Sequence, residues 1–230
     1  MKKAEKWISI IAMFLVILVL LITSFKLAVY GDPEYKFYEK LYSKYNVTDS
    51  LNMEMDDVME VTDYMMSYLI GEEEELSIVT YVDGREQDFF NEQDRLHMFD
   101  VKNLFLGGLR LRNIWLGMAV VLIGILVIRK AELRKLIPRA YNIAFRVFLG
   151  IVGFLTAAFS IDFFACFTIF HEIFFTNDLW LFDPRTDYMI RMLTSGFFKD
   201  MIIRIALYFV GALSIVFVLL QAWKRTDKQS

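Results

Sequence analysis

One uncharged run near the start of the chain decides the class of fold: residues Trp7 to Phe25, which read WISIIAMFLVILVLLITSF. Crossing the hydrocarbon core of a bilayer as a helix takes about 20 apolar residues. The run is longer than the apolar core of a secretory signal peptide, and Thr23-Ser24-Phe25-Lys26 is a poor cleavage site. We therefore predict a retained transmembrane helix over residues 7–29, which ends at Gly31-Asp32-Pro33.

Three further apolar runs follow, and the chain as a whole is 57% hydrophobic and only 23% charged. They predict transmembrane helices over about residues 109–128, 143–162 and 203–223. We expect an all-α membrane protein, in which residues 1–230 form a single membrane domain built as a four-transmembrane-helix bundle. A small extracytoplasmic portion, either mixed α/β or mainly helical, would accompany it.

Basic residues at the ends of these runs predict the orientation, because Lys and Arg are enriched in cytoplasmic loops. They cluster before the first run, between the second and third, and after the fourth. Both termini of this multi-pass protein of the cell membrane would then be cytoplasmic. Residues 30–102 and 171–200 would form two extracytoplasmic segments.

The first of these segments is acidic, with 19 Asp and Glu against 5 Lys and Arg between Gly31 and Asp100. Its pattern nevertheless indicates folded structure. Apolar residues at helical spacing predict a helix over Met55 to Leu69, and Leu76 to Val82 is typical of a strand. Asp83-Gly84 predicts a turn, and helix should resume near Asn91.

The second segment is short and aromatic, and its rings suit the headgroup level of a membrane. Asp183-Pro184 predicts a helix start, with Asp183 as the N-cap and Pro184 in the first turn. Residues Ile190 to Phe198 would then form an interfacial helix before the fourth transmembrane helix.

Both histidines of the chain, His97 and His171, map to the outer ends of predicted transmembrane helices. Imidazole is the side chain that titrates nearest neutral pH without perturbation, so it suits acid–base catalysis. A lone surface histidine is common, but two at one membrane depth favour a site. The expected active site therefore lies at the outer leaflet.

Four charged residues map close to the same outer boundary: Arg110, Arg112, Arg204 and Asp162. Ionisable groups near a bilayer are costly, so they pair with one another or serve a site. One interpretation has the arginines reaching headgroup phosphates or pairing with Asp162. The other has them bind substrate or stabilise an oxyanion.

Known motifs narrow the classes of chemistry. The sequence contains no G-x-S-x-G, P-loop, dinucleotide fingerprint or H-E-x-x-H. The single Cys166 lies in an apolar run and is typical of core packing. A metal-dependent lipid hydrolase stays open, since His97, His171, Asp100, Asp178 and Asp183 offer ligands. A non-enzymatic sensor or assembly module also stays open, because the acidic segment is suited to a basic partner.

Two blocks carry a resemblance. The first is Arg85-Glu86-Gln87-Asp88-Phe89-Phe90 followed by His97-Met98 and Asp100-Val101-Lys102. The second is Phe170-His171-Glu172-Ile173-Phe174-Phe175, continuing through Asn177-Asp178 and Trp180 to Asp183-Pro184 and Asp187. In this order and spacing the chain resembles the lipoprotein intramolecular transacylase family of Gram-positive bacteria.

The resemblance implies an acyltransferase that moves the sn-2 acyl chain of a diacylglyceryl-cysteine to its α-amino group, which gives a lyso-form lipoprotein. It implies that His97 and His171 are catalytic, one of them as general base. It also implies no cofactor and no metal. The partners would be a diacylated lipoprotein and membrane lipid, without nucleic acid, and the protein would be a monomer. Residues of the two blocks and of the outer boundary are the candidates for substrate binding or oxyanion stabilisation: Arg85, Asp100, Arg110, Arg112, Asp162, Asn177, Asp178, Asp183 and Arg204.

Overall fold

A computed structural model describes residues 2–225, and this part of the chain is mostly helical. The elements are, in order, α1 (Lys3–Tyr30), α2 (Lys36–Lys44), α3 (Val47–Leu51), α4 (Met55–Ile70), β1 (Val79–Val82), β2 (Arg85–Asp88), α5 (Glu92–Ile128), α6 (Leu133–Ile161), α7 (Phe163–Phe174), α8 (Tyr188–Met192) and α9 (Ser195–Arg225).

The described residues divide into two compact units. The first, called here the bundle unit, contains residues 2–29, 109–161 and 204–225. The second, called here the histidine unit, contains residues 30–108 and 162–203. The two predicted outward segments thus fall in the histidine unit, which also includes the first part of α5 and of α9.

Four helices, α1, α5, α6 and α9, are long and apolar enough to cross a membrane. This confirms the predicted number. At 1.5 Å per residue, α5 is about 55 Å long, whereas a hydrocarbon core is about 30 Å thick. The apolar part of α5 follows residue 109, so its first half, which contains Glu92, Asp94, Arg95 and Asp100, extends beyond the membrane-spanning segment.

The core of the bundle unit takes side chains from all four of these helices. Buried apolar residues of α1 and α6 pack with Leu126 of α5 and with Phe209 and Leu213 of α9. The hydroxyl of Tyr141 also donates a hydrogen bond to the main-chain oxygen of Leu213. A helix packs in this way when one stripe of its surface is apolar. The cluster contains Ala12, Met13, Ile17, Leu126, Ile137, Ala140, Tyr141, Ala144, Phe148, Phe209 and Leu213.

The histidine unit contains a two-stranded antiparallel hairpin in which Val79 faces Asp88 and Val82 faces Arg85. Asp83 and Gly84 form its turn with φ values of 51° and 76°. Positive φ at both central residues is the geometry of a type I′ turn, which suits the twist of a hairpin. The strand predicted from Leu76 is shorter than expected, and β2 was not predicted.

The third predicted transmembrane helix does not continue to His171. Asp162 has extended backbone angles, and its side chain accepts a hydrogen bond of 2.9 Å from the main-chain nitrogen of Ala165. A carboxylate that caps a new helix in this way ends the preceding one. His171 therefore lies on the separate helix α7, and α6 begins ten residues before the predicted Ile143.

The predicted helix start at Asp183-Pro184 is wrong. Residues 184–186 form a turn, and helix begins only at Tyr188, after Asp187. The carboxylate of Asp183 binds the side chain of Arg185 instead of capping a helix. The interfacial helix expected over Ile190 to Phe198 is replaced by the five-residue α8 and by the start of α9.

Candidate active site

The two histidines meet within the histidine unit. Their ring centroids lie 6.0 Å apart with an interplanar angle of 27°, and each residue is only 6% exposed. His97 comes from the first half of α5 and His171 from α7, so residues 74 positions apart in sequence share one buried place. The structure thus brings together the two residues that the sequence singled out.

The orientation of His171 follows from its own helix. Its Nδ1 lies 2.7 Å from the main-chain oxygen of Phe167, one turn earlier. A carbonyl oxygen only accepts hydrogen bonds, so Nδ1 carries the proton and donates it. In the neutral ring the lone pair is then on Nε2, which is the arrangement that a general base requires.

His97 occupies a drier environment. Burial lowers its pKa to about 4, the nearby His171 adds to this effect, and Asp100 opposes it. Its Nδ1 is buried without a hydrogen-bond partner among residues 2–225. Burial also lowers the pKa of His171. Both rings are therefore neutral at pH 7, and neutral imidazoles exchange protons readily.

Aromatic rings enclose both imidazoles. The ring of Phe175 lies 5.2 Å from that of His97 and 5.5 Å from that of His171. Phe182 lies 5.3 Å from His97, and Trp180 lies 4.9 Å from His171. These rings exclude water, which accounts for the lowered pKa values and strengthens electrostatic interactions within the site.

Polar contacts hold residues 175–182, which carry the rings of Phe175, Trp180 and Phe182, against α5. The side-chain amide of Asn177 donates a hydrogen bond of 2.9 Å to Asp100, one turn beyond His97. Gln93 donates from its side-chain nitrogen to the main-chain oxygens of Leu179 and Leu181, each over 3.0 Å. Asp100 and Asn177 were predicted as site residues, whereas Gln93 was not.

A buried polar group at the start of α5 was not predicted from the sequence. The side-chain oxygens of Asn91 and Asp94 each accept a hydrogen bond from the main-chain nitrogen of the other residue, which forms a reciprocal cap. The side-chain amide of Asn91 also donates to Asp187, which accepts from the main-chain nitrogen of Asp183. Burial raises the pKa of Asp94 to about 7. The N-x-x-D pattern of the cap was readable in the sequence, but the contact with Asp187 was not.

Other predicted site residues of this unit lie on its surface or bind elsewhere. Arg85 is exposed and pairs with Val82 in the hairpin. Asp178 is exposed. Asp183 is held by Arg185, which lowers the pKa of Asp183 to about 2. Asp162 caps α7 and is exposed. The structure gives none of these side chains a contact with an imidazole among its described residues.

The three predicted arginines belong to the bundle unit. Arg110 is exposed, and the guanidinium of Arg112 donates to Asn113 over 3.0 and 3.2 Å. The guanidinium of Arg204 lies 5.7 Å from the ring of Tyr208. A role for these arginines toward substrate stays a prediction. Within residues 2–225, no group of three or more His, Cys, Asp or Glu side chains is arranged to hold a metal ion.

Comparison with known proteins identifies the family. The family model described as lipoprotein intramolecular transacylase Lit matches residues 10–198. The solved structure of the membrane integral lipoprotein intramolecular transacylase Lit from Bacillus cereus is 21% identical, covers 99% of both chains and superposes with a TM-score of 0.78. This likeness concerns the fold.

Two further structures of that Bacillus cereus protein, each with one histidine substituted, have TM-scores of 0.76. They are 20% and 21% identical and cover 98% and 99% of this chain, and 94% and 96% of theirs. No curated protein sequence matches. Because the family model covers most of its length, this multi-pass membrane protein belongs to the lipoprotein intramolecular transacylase family.

Proposed function

We propose that the chain transfers the sn-2 acyl group of a diacylglyceryl-cysteine to the α-amino group of the same cysteine, with a histidine as general base. The observation that carries the proposal is the pair of buried, neutral imidazoles whose centroids lie 6.0 Å apart. A family member needs a group that accepts a proton from an amine near neutral pH, and this pair supplies it.

His171 is the base in this mechanism. Its Nδ1–H is fixed on the oxygen of Phe167, so the lone pair of Nε2 has a defined direction. The amine nitrogen attacks the ester carbonyl carbon, the N–C bond forms, and the amine proton passes to Nε2. The C–O bond to the sn-2 glycerol oxygen then breaks, and the same proton goes to that oxygen. The product is an N-acylated lyso-form lipoprotein.

His97 acts as the partner of this base. Its neutral ring carries one N–H, which is able to donate a hydrogen bond to the oxyanion of the tetrahedral intermediate. The dry surroundings formed by Phe175 and Phe182 make such a hydrogen bond stronger than it is in water. A lowered pKa suits this role, because a charged His97 would also raise the energy of protonating His171.

The two faces of α7 suit a lipid substrate. Phe163 and His171 are buried on one side, whereas Phe164, Ile169 and Ile173 are exposed. An exposed apolar face on a membrane protein is compatible with the acyl chains of a lipid substrate. The attacking amine and the ester belong to one molecule. Holding them together therefore supplies much of the rate enhancement.

The proposal includes the orientation of the protein. Both termini are cytoplasmic and the site faces the outer leaflet, where a diacylated lipoprotein is anchored. The support is the distribution of cations: α1 starts at Lys3, and α9 has Lys224 and Arg225 in its last turn. Such clusters favour the cytoplasmic side.

The test is expression in cells whose lipoproteins carry a diacylglyceryl-cysteine, followed by mass spectrometry of the N-terminal lipopeptides. Wild type should produce a lipopeptide with one acyl chain on nitrogen and one on glycerol. His171→Gln should reduce this product by roughly 10²-fold or more, the usual contribution of a general base. Glu172→Gln changes an exposed neighbour on the same helix and should keep full activity.

The other two functions predict different results in the same cells. A metal-dependent lipid hydrolase would release free fatty acid and would stop on chelation. A sensor or assembly module would leave the diacyl lipopeptide unchanged, both as the wild type and with either histidine replaced. Unchanged diacyl lipopeptide in cells that express the wild type well would contradict the proposal.

A further inference from the structure

A cavity of about 410 Å³ opens between α1 and α6 in the bundle unit. Its volume is within the usual range of ligand-binding pockets. Lys6 and Ser9 line it from α1, and Arg139, Asn142, Ile143 and Arg146 line it from α6. On both helices these positions are three or four residues apart, so each helix presents one face to the cavity.

The charge of this cavity is one-sided. Among residues 2–225, three of those that line it are cations, and none is a carboxylate. Glu5 precedes Lys6 in sequence, but its carboxylate makes other contacts. It lies 4.0 Å from Nε of Arg129 and accepts a hydrogen bond from the main-chain nitrogen of Lys2. The cavity therefore attracts anions.

Arg146 is an independent sign of a ligand. It is the one charged residue in the apolar stretch of α6 from Ile143 to Ile161. A cation at this position is costly in a membrane-spanning helix unless it faces a polar cavity or pairs with an anion. Arg146 is exposed and lines the cavity, which is where an anion would pair with it.

The polar groups match a phosphate diester. Guanidinium groups bind phosphate oxygens in bidentate fashion, and ammonium and amide groups add single donors. The side-chain oxygen of Asn142 accepts from Gln221, which leaves the amide hydrogens of Asn142 as donors. The hydroxyl of Ser9 donates to the main-chain oxygen of Lys6 and holds the first turns of α1 in shape.

We propose that this cavity binds the phosphate of an anionic glycerophospholipid, in the leaflet that meets the first turns of α1 and α6. A lipid is favoured over free phosphate because Ile143 and Ile10 add an apolar wall beside the cations. Basic pockets between membrane-spanning helices recognise such headgroups. The proposal is independent of the proposed acyl transfer, because none of its residues belongs to the histidine unit.

Native mass spectrometry of the full-length protein in detergent tests this site with phosphatidylglycerol and phosphatidylcholine as probes. The variant Arg139→Gln/Arg146→Gln removes two cavity cations. Its matched control, Arg134→Gln/Lys135→Gln, removes two cations of α6 that do not line the cavity. Wild type and control should retain phosphatidylglycerol, and the cavity variant should bind it roughly 10- to 30-fold more weakly, as expected for two cations near an anionic headgroup.

Each outcome has a defined meaning. Equal retention of phosphatidylglycerol by the cavity variant and the control overturns the site. Equal retention of phosphatidylcholine and phosphatidylglycerol by the wild type overturns recognition of the anionic charge. Retention of inorganic phosphate by a wild type that retains no phosphatidylglycerol overturns the lipid as the ligand. Lipopeptide acylation measured on the same variants stays at the wild-type level, so failure here is separable from failure of the transacylase proposal.

Discussion

The side-chain amide of Asn177 donates a hydrogen bond of 2.9 Å to the carboxylate of Asp100. Asp100 lies one helical turn beyond His97, and Asn177 lies two residues beyond Phe175, which contacts both imidazoles. This single bond therefore connects the helix that carries one histidine to the segment that covers both.

Asn177→Ala should lower the rate of acyl transfer without abolishing it. The bond between a neutral amide and a carboxylate contributes about 1.5 kcal/mol or more, so a five- to tenfold loss is expected as the covering segment loosens. Acylation of a diacylated lipopeptide by the purified protein measures the effect. Thr176→Ala alters the other, exposed neighbour and is the control. An equal loss in both variants would show that the bond has no specific role.

Acidification should destabilise the wild type relative to a His97→Gln variant. The pKa of His97 is about 4 in the folded protein, below its ordinary value of 6.5. Between these values the unfolded chain binds the proton that the folded chain excludes, so this contribution to stability falls as pH drops from 6.5 toward 4. Thermal unfolding in detergent at pH 7 and pH 5 measures the difference between the two proteins.

Asp94 acts in the opposite direction and provides the control. Its folded-state pKa is raised to about 7 from 3.8, so the folded protein takes up a proton first and gains stability as pH falls through 7. An Asp94→Asn variant lacks this titrating group, so its stability should not show the gain that Asp94 gives the wild type on acidification. If the His97→Gln and wild-type melting temperatures change in parallel with pH, the lowered pKa of His97 is wrong.

Asp187→Ala should destabilise the histidine unit by about 2–3 kcal/mol. Asp187 is 4% exposed, and its two carboxylate oxygens accept from Asn91 and from the main-chain nitrogen of Asp183. Alanine removes the charged acceptor from two part-buried donors, and a hydrogen bond to a charged group contributes about 1.5–3 kcal/mol. Asp187→Asn keeps one acceptor and should lose less. Protease resistance of detergent-solubilised protein gives the order, and equal resistance of both variants would exclude this role.

Gly196→Ala should destabilise the start of α9 by about 1–3 kcal/mol, the usual cost of an overpacked core. A Cβ atom at this position would lie 2.3 Å from Cε1 of the Tyr45 ring. The hydroxyl of Tyr45 donates to Asp200 over 2.9 Å, so the ring is not free to move away.

Gly211→Ala is the matched control for this prediction, because nothing lies within 4 Å of a Cβ atom there and alanine favours helix. The melting temperature should fall for Gly196→Ala alone. Equal melting temperatures for the two variants would contradict the packing at Tyr45.

Several elements of the fold were predictable because local patterns carry them. Long apolar runs predicted the four membrane-spanning helices, and helical spacing over Met55 to Leu69 predicted α4 within two residues. The dipeptide Asp83-Gly84 predicted a turn, though not the hairpin that it closes, since both residues adopt positive φ with little strain. These signals depend on neighbours in sequence and not on distant contacts.

The errors occurred where distant contacts compete with local preference. Asp183-Pro184 has the pattern of a helix start, but the carboxylate binds Arg185 and the main-chain nitrogen bonds Asp187. His171 was expected at the outer end of the third transmembrane helix, yet Asp162 caps α7 and so ends α6 before it. An aspartate has several partners within reach, and only the folded chain determines which of them it binds.

The sequence by itself determined that this is a four-helix membrane protein with two candidate histidines, because apolar runs and residue identity are local properties. The tertiary structure alone decided that His97 and His171 face each other, that Phe167 sets the tautomer of one, and that Phe175, Trp180 and Phe182 keep both dry. The physical reason is that a pKa and a tautomer depend on burial and on hydrogen-bond partners, which residues far apart in sequence supply only after folding.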